Sequence, residues 1–304
     1  MNYTGLLSYQ SPEEIKEKAI KLLEHVENKV RKSRSFFNRL FGHTIDFEEA
    51  AEIVTRAANL FKYIEMWKSS GDAFVRSAQL LLYNNQYSMN AASNFVNASK
   101  VFKRIDNYEA INCMYNAIDI YVNKGNFYTA AKCYMDIAEI YDKDLFETDK
   151  AIEHYEKASD YYRGDGNNKL SGDCTLRAAM LYVQREEFMK AATMYEQVGY
   201  DRVDTELLRY GVKKQFFYAV ICNLCVDIIN AKSALDKYKS AYPVFKDFIE
   251  CKLIEKLLDA YDNEDVDAFT EAIREHDNVS KIEDVMVTML LRIKKSITEN
   301  KSLC

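Results

Sequence analysis

The sequence predicts an all-α protein, and three observations carry that reading. Its 304 residues include only two prolines (Pro12, Pro243) and nine glycines, which leaves little material for sheet turns or disordered linkers. Apolar residues recur at i, i+3, i+4 and i+7 through stretches such as EAINCMYNAIDIYVNKG and YTAAKCYMDIAEIY, the period of an amphipathic helix. An Ala-x-x-x-aromatic signature appears at Ala91–Phe95, Ala130–Tyr134, Ala151–Tyr155 and Ala191–Tyr195, its alanines 39 residues apart in the first pair and 40 in the second. Small alanines let two helices approach closely while Tyr or Phe fills the adjoining hole. The repeat therefore reads as a tetratricopeptide-like helical hairpin, lengthened from the usual period of about 34 residues. MWKSSGDAF is similar to the W-x-x-L-G-x-x-Y element of such repeats, with Ser70 for Leu and Phe74 for Tyr. The expected architecture is a right-handed array of antiparallel helical hairpins, a twisted sheet of helices, over residues 1–242. Pro243 interrupts the pattern, and a C-terminal helical bundle is expected over 243–304.

Taken in order, Ser11-Pro12-Glu13-Glu14 opens the first helix with an N-cap, a proline at the first helical position and a glutamate three residues on. That helix presents Ile15, Ala19, Leu22, Leu23, Val26 and Val30 on one face, and its pattern stops near Ser35. Residues 35–43 form a hydrophobic loop: Phe36, Phe37, Leu40 and Phe41 stand among Lys29, Arg31, Lys32, Arg34 and Arg39 and run into Gly42. A core helix would account for the apolar residues but not the cations, and the segment is far too short to span a bilayer. Asp46 and Glu49 form a second capping-box pattern, and Ser280 with Glu283 a third, before an amphipathic helix from Ile282 to Ile297. Gly71, Gly125, Gly164 and Gly199 are expected near helix ends. GDGNN, Gly164 to Asn168, lacks the downstream glutamate of a calcium loop and reads as a turn between helices.

Composition excludes several functions. A formal charge of −6 is not that of a general nucleic-acid binder. Seven cysteines without framework spacing, and no visible signal peptide, indicate reduced thiols and a cytoplasmic location. No apolar run has the length of a spanning helix, so membrane association is expected to be peripheral. Cys222 and Cys225 form a C-x-x-C inside an apolar run with no second ligand pair, so they read as small buried thiols rather than zinc ligands. His25, His43, His154 and His276 are scattered, each expected at a surface or hairpin position. No phosphate loop or hydrolase motif is present, so the expectation is a non-enzymatic protein without cofactor or metal. Charge is uneven: Lys16 to His43 carries eight Lys/Arg against three Glu, and Asp247 to Asp284 carries thirteen acidic residues against four basic. Ends of opposite sign imply different partners at the two ends.

The blocks KSRSFFNRLFG, EEAAEIVTRAANLFK, EAINC, AAKCYMDIAEIY, KAIEHYEKASDYY, YEQVG, INAK, ECKL and TMLLRIKK resemble, in order from about Ala19 to Cys304, the soluble NSF attachment proteins, alpha type. The resemblance implies an adaptor in vesicle-mediated and ER–Golgi transport. Such an adaptor binds the helical bundle of an assembled SNARE complex and recruits the hexameric AAA+ ATPase NSF, which takes the bundle apart after membrane fusion. It further implies a monomer when alone, with several copies around one SNARE bundle.

The resemblance also implies site residues. Phe36, Phe37, Leu40 and Phe41 match the loop that dips into the bilayer; full burial of four such side chains is worth roughly 6–12 kcal/mol at most, and each cation near an anionic leaflet adds about 1 kcal/mol. Lys103, Arg104, Lys132, Arg177, Lys213 and Lys214 match the basic residues that meet the acidic SNARE bundle, and Leu207 and Tyr210 match apolar contacts to it. Asp173 and Asn126 stand where the alpha type has basic residues. Asp227, Asp259 and Asp262 match the acidic residues that bind NSF, with Asn263 replacing another acid and Glu264 or Asp265 available beside it. Leu303 matches the penultimate leucine that stimulates the ATPase, here between ENKS and Cys304. The alternative reading is a generic peptide-binding repeat scaffold of the chaperone co-factor class. A carboxylate clamp of that kind needs Lys, Arg and Asn converging in one groove and has no use for FFNRLF.

Overall fold

The computed structural model describes residues 11–33, 46–83, 86, 88–205 and 208–303, with side chains described except at 33 and 300–303. Among these residues the protein is all-α, with fourteen α-helices and no strand. It forms two compact units, residues 1–150 and 151–304.

The first unit contains α1 (Pro12–Ser33), α2 (Phe47–Tyr63), α3 (Trp67–Leu81), α4 (Ser88–Phe102), α5 (Asn107–Asn123) and α6 (Phe127–Lys143). Each helix packs against the next, and the short connections make neighbours antiparallel. The capping box at α1 forms as expected: Ser11 N–H donates to Glu14 Oε2 at 2.8 Å, and Glu14 N–H to Ser11 Oγ at 3.2 Å. At α2, Asp46 caps alone through the N–H groups of Glu48 and Glu49, while the Glu49 carboxylate lies 3.7 Å from Lys29. Ala57, Ala58, Ala91, Ala92, Ala130 and Ala131 are wholly buried, so helices meet along small residues as the repeat predicts. Ser70, in the position of the repeat leucine, is buried too, and its hydroxyl donates to the Ala58 carbonyl at 2.8 Å.

Two glycines depart from expectation. Gly71 lies inside α3 and Gly199 inside α9, not at helix ends. A Cβ would come within 2.5 Å of the Phe102 ring at Gly71 and within 2.4 Å of the Phe216 ring at Gly199. These glycines make room for a ring on the neighbouring helix. Gly125, by contrast, sits in the turn after α5 at φ +71°, the conformation that favours glycine.

The second unit contains α7 (Thr148–Gly164, which crosses the boundary), α8 (Asn168–Gln184), α9 (Phe188–Val203), α10 (Arg209–Leu224) and α11 (Ile228–Ala241). A short 3-10 turn, Pro243–Asp247, leads to α12 (Ile249–Asp262), α13 (Val266–Val279) and α14 (Asp284–Leu303). GDGNN is the expected turn between α7 and α8, with Asn167 capping α8 through Leu170 N–H. Helix α10 packs against α9, α11, α12 and α14, and every residue from Gln215 to Leu224 is buried. Phe216 stacks on Tyr238 at 4.3 Å and meets Phe245 edge-on at 5.7 Å, anchoring the 3-10 turn to this core.

The third expected capping box does not form. Ser280 closes α13, α14 begins at Asp284, and Ile282 N–H donates to Asp277 Oδ1 at 2.8 Å. The Glu283 carboxylate instead accepts hydrogen bonds from Lys214 and Tyr218 of α10. Helix α14 also continues past the expected Ile297 to Leu303. His154 is 3% exposed, contrary to a surface placement, because it lies on the inward face of α7 beside Ala151 and Tyr155.

Candidate functional site

In the first unit, α4 ends in a turn that carries Lys103 and Arg104, and Lys132 lies in the second turn of α6. The structure brings Lys103 and Lys132 together with Lys100 around Asp136 of α6, and all three charges act on its carboxyl. Burial outweighs them and raises the Asp136 pKa above the usual carboxylate range. Lys100 was missed in the sequence, although its spacing of three from Lys103 at a helix end was a signal. The Lys103 ammonium lies 3.3 Å from Asp144, in the turn after α6. Arg104 sits 4.7 Å over the Trp67 ring, a cation held by an aromatic face. Asn126 caps α6, its carbonyl accepting from Thr129 N–H at 3.2 Å.

In the second unit the predicted cations are engaged within the protein. Arg177 is exposed on α8 with its guanidinium 5.9 Å from the Tyr155 ring. Lys213 is only 17% exposed: its ammonium lies 2.9 Å from Glu250, 4.7 Å over the Tyr210 ring and 5.3 Å over Phe248. Burial pulls the Lys213 pKa down, but the hydrogen bond and charge of Glu250 reverse this and leave it raised. Lys214 pairs with Glu283, so the two lysines tie α10 to α12 and to the segment before α14. Tyr210 is 76% exposed at the start of α10, whereas Leu207 lies outside the described residues. Asp173 accepts a hydrogen bond at 2.7 Å from Arg202, which is buried, so its charge is met from within.

The acidic candidates differ in their duties. Asp227 caps α11 through Asn230 N–H at 2.7 Å. Asp262 pairs with Lys232, while Asp259 is exposed on α12 and Glu264 occupies the following turn at φ +50°. Asn263 donates from its amide to the Asp259 carbonyl at 2.8 Å and closes that helix. Leu303 is the last residue of α14. Phe36, Phe37, Leu40 and Phe41 lie outside the described residues, as does His43.

Reactive chemistry is sparse among the described residues. No group of three or more His, Cys, Asp or Glu could hold a metal ion. Cys222 is wholly buried and Cys225 half-buried at the end of α10; burial pushes the Cys225 thiol up to about 12 and raises Cys222 well above its usual value. Cys113 and Cys133 are likewise pushed up to about 12 and Cys251 to about 11, while Cys174 is buried. His276 is half-buried against Phe217 with ring centroids 6.3 Å apart, and burial lowers its pKa. No described helix is long and apolar enough to cross a membrane.

Fold and site together define a helical-repeat protein in which Lys100, Lys103 and Lys132 stand around Asp136 in one unit and Asp259 is exposed in the other. The family model of the soluble NSF attachment protein, SNAP, matches residues 17–298, and the chain belongs to that family. It is 50% identical over 266 residues to a soluble NSF attachment protein homolog of fowlpox virus, covering 88% of this chain and 96% of that protein. It is 46% identical over 279 residues to the alpha-soluble NSF attachment protein of Mus musculus, covering 92% and 94% of the two chains. A vesicular-fusion protein, SEC17, of Komagataella phaffii is 30% identical over 260 residues, covering 84% of this chain and 87% of that one.

Proposed function

We propose that the chain is a non-enzymatic adaptor that binds assembled SNARE complexes, recruits the hexameric AAA+ ATPase NSF and stimulates SNARE disassembly. The observation that carries this reading is the family match, which runs through residues 17–298. In this reading the SNARE surface comprises Lys103, Arg104, Lys132, Arg177, Leu207, Tyr210, Lys213 and Lys214. The grouping of Lys100, Lys103 and Lys132 around the half-buried carboxyl of Asp136 supports it, since it sets cations where an acidic helical bundle would be drawn. Lys213 and Lys214 serve this surface by fixing α10, on which Tyr210 stands exposed.

NSF is met at the acidic end, by Asp227, Asp259, Asp262 and Glu264, and Leu303 stimulates its ATPase. The array of residues 1–242 carries the SNARE surface and the bundle of 243–304 most of the NSF contact. The protein works in the cytoplasm, bound peripherally to anionic membrane through Phe36, Phe37, Leu40 and Phe41. A peptide-clamping scaffold is the second reading, favoured by a cavity of about 540 Å³ in the first unit that is lined by Arg56, Asn90 and Asn94. Glu48 and Glu52 share that cavity, which opposes capture of a carboxylate.

The test is ATP-dependent disassembly of a soluble SNARE complex by NSF, with and without the protein. Wild type supports disassembly; Lys103→Glu with Arg104→Glu and Lys132→Glu weakens SNARE binding, which also falls as salt rises, because such attraction is screened over about 8 Å. Leu303→Ala retains recruitment and loses stimulation. A wild-type chain that leaves the complex intact overturns the reading.

A further inference from the structure

Four described residues other than glycine have positive φ, each in a turn between helices: Glu65, Phe146, Glu186 and Glu264. Three are glutamates. Phe146, at φ +56°, is the bulky exception, and left-handed backbone is disfavoured for such a side chain. Its ring is also 81% exposed, so burial does not offset the strain.

The turn around it is firmly built. Glu147 N–H donates to the Tyr141 carbonyl at 2.8 Å, closing α6. The Glu147 carboxylate takes one hydrogen bond from Tyr108 at 2.9 Å and lies 2.6 Å from the Lys150 ammonium at its other oxygen. Asp144 meets Lys103 at 3.3 Å. These two ties, Lys103 to Asp144 and Tyr108 to Glu147, hold the turn after α4 and the first turn of α5 beside the turn after α6. Ile105 lies between the tied residues Lys103 and Tyr108, and Phe146 between Asp144 and Glu147; Ile105 is 49% exposed and Tyr108 53%. The result is an apolar patch of Ile105, Tyr108 and Phe146 with a rim whose polar groups are already satisfied. An exposed aromatic within a satisfied rim is the anatomy of an interface anchor.

We infer that Phe146, with Ile105 and Tyr108 around it, is an apolar anchor that docks against the side of the helical SNARE bundle next to the Lys103 and Arg104 contacts. The inference rests on the reading above for the identity of the partner. Continuity argues for this occupant: Lys103 and Arg104 belong to the same turn as Ile105, and Lys103 is one of the ties that hold the patch. Lys103 is taken up by Asp144, so the charge that suits an acidic helical surface comes from Lys100, Arg104 and Lys132, and Phe146 supplies the desolvated contact that charge alone lacks.

Phe146→Gly separates anchoring from folding, because it removes the ring and relaxes the backbone together. Binding to a soluble SNARE four-helix bundle, by anisotropy at fixed salt, is expected to weaken about tenfold. Thermal unfolding is expected to be unchanged or to move upward. Ile105→Ser weakens binding in the same direction by a smaller factor. Unchanged affinity in Phe146→Gly, with Lys103→Glu impaired, overturns the anchor and leaves the adaptor reading standing. A lowered unfolding temperature in Phe146→Gly assigns the ring to the fold and also overturns it. A wild-type chain that does not bind the bundle overturns both.

Discussion

Lys213 and Glu250 form an ion pair at 2.9 Å whose side chains are only 17% and 12% exposed, and it joins α10 to the first turn of α12. The second Glu250 oxygen is buried without a hydrogen-bond partner among the described residues. The pair therefore depends on Lys213 and on the rings that cover it. Glu250→Ala leaves a half-buried ammonium without its partner and is expected to destabilise the second unit by about 1.5–3 kcal/mol. Replacing both partners with apolar residues, Lys213→Met with Glu250→Leu, is expected to recover most of that loss. Urea unfolding of Lys213→Met, of Glu250→Leu and of the double variant measures the coupling; additive losses would show that the pair is not coupled.

Gly199→Ala places a methyl carbon within 2.4 Å of the Phe216 ring, which is wholly buried and stacked on Tyr238. The ring has no free space to enter, so overpacking is expected to cost about 1–3 kcal/mol, despite the better helix propensity of alanine. Phe216→Leu in the same chain makes room and is expected to restore part of the loss. Equal stability of Gly199→Ala and wild type by thermal unfolding would contradict this contact.

Glu283 gives the acid limb of stability a local cause. Partial burial opposes its ionisation, but hydrogen bonds from Lys214 and Tyr218 outweigh this and lower its pKa from 4.5. A folded-state pKa below the unfolded one contributes stability that is present above pH 4.5 and lost as pH falls through the lowered value. Glu283→Gln is therefore less stable than wild type at neutral pH, and the gap narrows below pH 4.5. Denaturant midpoints from pH 3 to 7 check the sign.

Phe36→Ser with Phe37→Ser is expected to reduce sedimentation with anionic liposomes several-fold while helicity and binding to soluble SNARE complexes persist. Vesicles of neutral lipid serve as the control for the adjacent cations. Early melting of the double variant would place the two rings in the core.

The helical plan was legible because it rests on local chemistry. The buried alanines and the Ser11 cap depend on residues within one or two turns of each other. What escaped the sequence is long-range. Glu283 looked like a capping residue for α14, but two donors on α10, 65 and 69 residues away, claim its carboxylate. Gly71 and Gly199 looked like helix terminators, whereas the rings of Phe102 and Phe216 on neighbouring helices require them. His154 has no apolar signature of its own and is buried by the period of α7. For the candidate site the sequence supplied the residue types, but not which charges are already spoken for. Lys213 is taken by Glu250 and Asp173 by Arg202, and Lys100 joins Lys103 and Lys132 only once α4 and α6 are folded.

The burial of the cysteines has a practical consequence for anyone wishing to watch the protein at work. Alkylating dyes attack thiolates, and the five described thiols with raised pKa values carry almost none at neutral pH. Cys174 is shielded by burial. A maleimide fluorophore can therefore be directed to a single cysteine introduced at an exposed site, such as Lys124, in a chain where Cys304 alone has been replaced by serine. The six internal cysteines need not be removed, and the packing they support stays intact while distances to a labelled partner are followed.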